Sequence, residues 1–237
     1  IRAQTPTGMT VALSRGRDRA ILTALGAMTS LTAADVPGTL LARARHVHVS
    51  SYFLLEDSLG SGLAGLLSAA RAGGATTSLD TNWDPSGRWG DERLAAAITQ
   101  TDLLLPNEAE ALRLSGASSL DAAVSALTAV GRRLVVKLGE RGVTCADRST
   151  RQHVSVPAVL PVDTTGAGDC FNAGLIAGLL QGLALPEAAA LGCAAGALST
   201  GGRGGTASAP DLATAARLAE LASIGSGMPP SVPSATP

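Results

Sequence analysis

The chain predicts an α/β domain whose mostly parallel sheet is covered by helices on both faces, and three observations carry that prediction. Short strand-like runs alternate with longer helical patterns along most of the 237 residues. Hydrophobic residues make up 46% but aromatics only 2%, so Ala, Leu, Val and Gly must do most of the packing, which suits helices lying close on a sheet. The length fits one α/β domain, or a core domain with a small appendage.

Residues 9–14 and 19–23 flank the polar turn Arg15-Gly16-Arg17-Asp18 and read as a β-hairpin. Alternation begins beyond it, with strands over 46–50, 76–80 and 102–105 and helices over 59–72 and 92–99. Helices over 108–114 and 120–130 come next, then an apolar strand over 134–138 and shorter strands over 142–146 and 152–156. Three helices complete the pattern: one from the Gly-rich turn at 166–168, an Ala-rich one over 186–199, and one over 210–222. Pro186 and Pro210 open the last two, where proline is welcome. The expected organisation is a hairpin region over 1–25, an α/β core over 26–222, and a disordered Ser/Pro/Gly-rich tail over 223–237.

Charge and cysteine usage exclude several classes. Net charge is −1 and no run of Lys or Arg exceeds two residues, which argues against nucleic acid or an acidic membrane surface as partner. Cys145, Cys170 and Cys193 are odd in number without Cys-x-x-Cys spacing, and His46, His48 and His153 are scattered; neither a zinc site nor a disulfide framework is indicated. Reduced, cytoplasmic conditions are the expectation. No stretch has the roughly 18 apolar residues of a membrane span, and no secretory leader is read. The chain opens with Ile1 in what reads as ordinary folded sequence, so the expectation is that it is incomplete.

Residues 163–176 carry most of the functional signal. Asp163-Thr164-Thr165 runs into the small turn Gly166-Ala167-Gly168, then Asp169, then an apolar helical pattern. Such a turn lets several backbone N–H groups point at one spot, and the helix start adds its positive end, a ready anion site. An acid inside an anion site needs a reason. Asp169 can supply one by taking a proton from a hydroxyl while the turn stabilises charge on a phosphoryl group. The plainer reading is a first-turn helix acid after a Gly-rich loop.

Three further motifs each have a plain structural reading, and for two of them a metal or phosphate role stands beside it. Asn107 and Glu110 lie three apart at a helix start, where they can hold a hydrated Mg²⁺ or form an N-cap and its capping-box partner. The run 135–143 is a strand, a turn bracketed by Gly139 and Gly142, and another strand, which on its own is a hairpin. The stretch 80–85, with Asp80, Asn82 and Asp84, could serve a phosphate–magnesium network or form Asx turns.

Every position from 163 to 176 resembles the C-terminal signature of the PfkB/ribokinase-like family of sugar kinases. The resemblance implies a three-layer α/β/α fold with a mostly parallel sheet, and makes the hairpin at 1–25 the remnant of a small β lid. It implies an ATP-dependent phosphotransferase acting on a hydroxyl of a small sugar or sugar acid, with Asp169 as catalytic base and Gly166, Ala167 and Gly168 as the anion hole. Asn107 and Glu110 then fall on an Asn-x-x-Glu motif tied to Mg²⁺ and phosphate. Gly139 and Gly142 would let ATP approach the backbone, and Lys137 would reach its phosphates. Cys193 stands where many relatives place Asn or His beside the adenine, a departure that removes a polar partner. The family often binds a monovalent cation such as K⁺; the carry-over gives Asp163, Thr165 and carbonyls near Ser199 and Gly204. The resemblance also implies pairing of two copies through the lid, without nucleic acid or membrane. Relatives acting on keto-acid sugars show a basic residue after their Asp-x-Asn; Trp83 and Asp84 follow here, so that substrate is not carried over.

The family's first strand, with an Asp that grips sugar hydroxyls, its Gly-Gly turn and its first lid strands have no counterpart in these residues. The expectation is therefore a fragment or a lost half-site, and a chain that alone folds poorly or turns over little. Alternatives are a nucleoside or vitamin kinase of the same fold, or a non-catalytic nucleotide- or partner-binding remnant. A P-loop enzyme and a dinucleotide-binding oxidoreductase are disfavoured, for want of Gly-x₄-Gly-Lys-Ser/Thr and of Gly-x-Gly-x-x-Gly between a first strand and a helix.

Overall fold

The computed structural model describes residues 4–15, 18–129 and 132–227, and the chain divides into two units, Ile1–Thr101 and Asp102–Pro237. That division falls inside the 26–222 stretch read above as one core.

In the first unit, β1 (Met9–Arg15) and β2 (Asp18–Ala24) pair antiparallel in a sheet of their own, with Val11 opposite Leu22. The tip of the expected turn, Gly16 and Arg17, lies outside the described residues. Alternation puts Met9, Val11 and Leu13 on one face with Leu22, and all four are exposed. After the single-turn helix α1 (Gly38–Leu41) comes β3 (His46–Ser50), then another single turn, α2 (Tyr52–Leu55), and the longer α3 (Gly60–Ala72). Single turns leave no periodic trace in a sequence, and neither α1 nor α2 was expected. α3 buries Leu63, Leu66, Leu67 and Ala70, the spacing of one helix face. It carries the chain over to β4 (Thr76–Asp80), which lies parallel to β3, and α4 (Glu92–Thr99) follows. The Asp91 carboxylate caps α4 by accepting from the N–H groups of Arg93 and Leu94.

The second unit starts with β5 (Leu103–Leu104), α5 (Glu108–Ser115), α6 (Leu120–Thr128) and β6 (Arg133–Lys137), with β5 and β6 parallel. From there the sheet turns antiparallel through β7 (Val143–Ala146) and β8 (Arg151–Ser155). Two long helices follow, α7 (Ala167–Leu180) and α8 (Leu185–Ser199), then α9 (Leu212–Ala219). The tail expected to be structureless from Ser223 does not begin there. β9 (Ser223–Ser226) pairs antiparallel with β8. All four of its residues are exposed, so backbone bonds hold it rather than burial, and such a strand has no apolar pattern to read. Residues 228–237 lie outside the described residues.

The core of this unit lies between the strands and the α7–α8 pair. Leu103, Leu105, Val135, Val143, Cys145 and Val154 meet Phe171, Leu175, Ala188, Ala189 and Cys193. α7 and α8 touch backbone to backbone: a Cβ on Gly174 would lie 2.8 Å from Leu191 O, and one on Gly192 2.8 Å from Phe171 O. Small residues at these crossings bring the start of α7 and the C-terminal half of α8 to one place. Among the described residues no helix is long and apolar enough to cross a membrane.

Candidate active site

The turn before α7 is held from three sides. Asp163 Oδ1 accepts from the Thr165 N–H at 2.9 Å and from Thr165 Oγ1 at 2.7 Å, which folds the approach into an Asx turn. Its Oδ2 accepts from the Gly204 N–H at 3.0 Å, tying the Gly-rich loop 201–205 to the signature. The carbonyl of Thr200 accepts from the N–H groups of Val162 and Asp163. Gly166 caps α7 in the left-handed region, φ 76°, and Gly205 O lies 2.6 Å from where its Cβ would be. The Ala167 N–H donates to Thr164 O at 3.3 Å and the first intrahelical bond runs from the Cys170 N–H to Gly166 O, so the N–H groups of Gly168 and Asp169 fall in the turn where a helix leaves donors unpaired. Asp169 lies there with an exposed side chain.

The end of β6 meets this turn. Lys137 Nζ lies 3.8 Å from the position a Cβ of Gly168 would take. On its other side Lys137 is fixed to the start of α5: its N–H donates to Pro106 O at 2.9 Å, and Asn107 bridges to it in parallel register. Asn107 and Glu110 form the full capping box. Glu110 Oε2 accepts from the Asn107 N–H at 2.9 Å, Oε1 accepts from Asn107 Nδ2 at 2.6 Å, and Asn107 Oδ1 accepts from the Glu110 N–H at 2.9 Å. Both carboxylate oxygens of this buried glutamate are thereby engaged. Beyond β6, Gly139 and Gly142 both take positive φ, 63° and 83°, and Arg141 donates to the Glu108 carboxylate, so the turn is tied back to α5.

A cavity of about 440 Å³ opens between the β6–β7 turn, the 156–161 loop and α8. It brings together Lys137, Gly139, Gly142, Ala167, Gly168 and Cys193 of the residues singled out above. Gly166, Asp169, Asp163, Thr165, Asn107 and Glu110 do not line it. The sequence reading missed Thr164, Phe171, Thr200 and the apolar 156–161 wall, which line it as well. A proline-bracketed stretch without period, Pro157 to Pro161, was the only signal of that wall. Cys193 is buried, its Sγ 3.9 Å from Val154 O, and burial pushes its thiol up to about 12.

In the first unit, residues 80–90 form Asx turns. Asp80 accepts from the Asn82 N–H at 3.2 Å, and the buried Asp84 accepts from the N–H groups of Ser86 and Trp89 at 2.7 and 2.6 Å. Burial raises the Asp84 carboxyl, but the bonds from Ser86 and Trp89 outweigh it and leave its pKa below the ordinary value. Among the described residues no three His, Cys, Asp or Glu side chains gather in a metal-binding group.

Comparison with known proteins places the chain. Residues 1–212 match the model of the pfkB family of carbohydrate kinases. A fructokinase from Klebsiella pneumoniae is 34% identical over 181 residues, 69% of this chain and 57% of the relative. A cytidine kinase from Thermococcus kodakarensis is 38% identical over 103 residues, 42% of this chain and 37% of the relative. An E. coli protein designated ribokinase II, solved in complex with ATP and Mg²⁺, superposes with a TM-score of 0.79 at 26% identity, covering 89% of this chain and 70% of that one. The chain thus spans little more than half the length of the fructokinase, and less of the cytidine kinase. Members such as ribokinase and fructokinase are ATP-dependent phosphotransferases. With the match running through the signature turn and the cavity walls, the chain belongs to the pfkB family of carbohydrate kinases and has the ribokinase-like α/β fold.

Proposed function

We propose that the chain supplies the nucleotide-binding and phosphoryl-transfer part of an ATP-dependent kinase acting on a hydroxyl of a small sugar or sugar acid. The observation that carries this is the meeting of Lys137 with the start of α7 at the mouth of the cavity. A phosphate there would lie within reach of the lysine and accept from the turn's N–H groups. In this reading Gly166, Ala167 and Gly168 stabilise charge on the transferred group, and Asp169 takes the acceptor's proton. Gly139 and Gly142 leave room for the nucleotide backbone, and Cys193 lies against the base. A nucleoside acceptor is the second reading, favoured by the likeness to a cytidine kinase.

The metal assignments fit unequally. Magnesium accepts oxygen ligands and keeps water. Asn107 and Glu110 have their oxygens in the capping box, so they would hold Mg²⁺ through water molecules rather than directly. Asp163 and Thr165 set a carboxylate and a hydroxyl side by side, and Asp163 is joined to the Gly-rich loop through the Gly204 N–H, so oxygens from both segments would be the ones to hold K⁺. Mg²⁺ would offset charge on the phosphates when bound.

Two variants test the reading together. In an active, complete form of the enzyme, Asp169→Asn is expected to lower turnover by about 10²-fold or more with little change in nucleotide affinity. Lys137→Gln is expected to weaken nucleotide binding by about tenfold or more, the loss of one charge-assisted bond. Ordinary turnover in the first, or unchanged binding in the second, would remove that residue from its role.

A further inference from the structure

The order of the cavity walls sets where each part of a nucleotide falls. Its phosphates go to Lys137 and the start of α7, and its base to Cys193. The turn between β6 and β7 stands between the two. It begins just past Lys137, and a Cβ on Gly142 would run into Val154 O, the carbonyl that the Cys193 thiol faces at 3.9 Å. A ribose joining phosphates to base must pass this turn.

Glu140 is the side chain the turn can offer there. Gly139 and Gly142 have none, and Arg141 is drawn away to the Glu108 carboxylate on α5. Glu140 lines the cavity as the one acid of its lining, and among the described residues it has neither an ion pair nor a hydrogen bond. A carboxylate only accepts hydrogen bonds, through two oxygens. Phosphate oxygens, acceptors of the same sign, repel it. The 2′ and 3′ hydroxyls of a ribose are two donors side by side, and those two oxygens can take both. The backbone beneath is held by the tie from Arg141 to α5 and by the positive φ of Gly139 and Gly142, so less freedom is lost when the pair forms. We propose that Glu140 reads the ribose of the phosphoryl donor by accepting from its 2′ and 3′ hydroxyls, and so makes this chain select ribonucleotides over deoxyribonucleotides. The inference rests on the reading of this cavity as the nucleotide site, and names the sugar that site takes.

The test is calorimetric titration of the 237-residue chain with ADP, 2′-deoxy-ADP and 2′,3′-dideoxy-ADP in Mg²⁺. Each hydroxyl removed is expected to weaken binding by about tenfold, the loss of one hydrogen bond to a charged group. Glu140→Ala, at an exposed position, is expected to weaken ADP but to leave dideoxy-ADP within about threefold of its wild-type affinity, so that the preference for ribose disappears. Dideoxy-ADP binding within about threefold of ADP in the wild-type chain would overturn the role of Glu140 and leave the nucleotide site standing. A ribose preference that survives Glu140→Ala would do the same. No binding of ADP would overturn both.

Discussion

Gly166 is held by two independent constraints: a φ of 76° and the carbonyl of Gly205 only 2.6 Å from where a Cβ would sit. Alanine there must adopt a left-handed backbone and also push the 201–205 loop away. Gly166→Ala is therefore expected to lower stability by about 1–3 kcal/mol, read as a drop in the thermal midpoint. Because the displaced loop is the one Asp163 holds through Gly204, nucleotide affinity should fall with it. Unchanged binding and melting would mean that the loop is slack. Asp163 shows the same economy, since one carboxylate fixes both the turn and the loop that covers it.

At the level of elements, the helix α5 begins on a capping box in which the Asn107 and Glu110 side chains each accept from the other residue's N–H and bond to one another. Glu110→Gln removes one acceptor from this pair and is expected to cost about 1 kcal/mol in a thermal melt. A parallel titration should show more Mg²⁺ needed for nucleotide binding if the same carboxylate orders metal-bound water; an unmoved titration leaves the cap alone. The long elements were legible because burial imposes a period: α3 shows its buried face as Leu63, Leu66, Leu67 and Ala70. β9 was not, since exposed residues bonded through their backbone carry no pattern. The same divide runs through the site. Asp163 to Asp169 are neighbours in sequence and were found together. The approach of Lys137 to Gly168 and the apolar 156–161 wall join residues from distant stretches without period, and only the fold brings them side by side.

For the molecule as a whole, two surfaces set its behaviour. The β1–β2 sheet shows Met9, Val11, Leu13 and Leu22 to solvent on one face, and a two-stranded sheet is marginal without cover. A second copy of the chain is the proposed cover. Sedimentation should therefore show self-association at micromolar concentration, reduced at least severalfold by Val11→Lys with Leu22→Lys; a wild-type chain that stays monomeric would remove this sheet as an interface. The other surface is internal. Where α7 and α8 cross, glycine and alanine meet backbone, and such residues lose little or no side-chain entropy on folding. Apart from the Phe171 ring, the contact that shapes this side of the cavity is accordingly made of groups with almost no rotamers to exchange. Beyond a swing of that ring, such a wall can accommodate a new ligand only by the shift of a whole helix. Changes in what the cavity accepts would then arrive in steps, by the addition of a side chain at a position such as Cys193 or Ala197, rather than by gradual repacking.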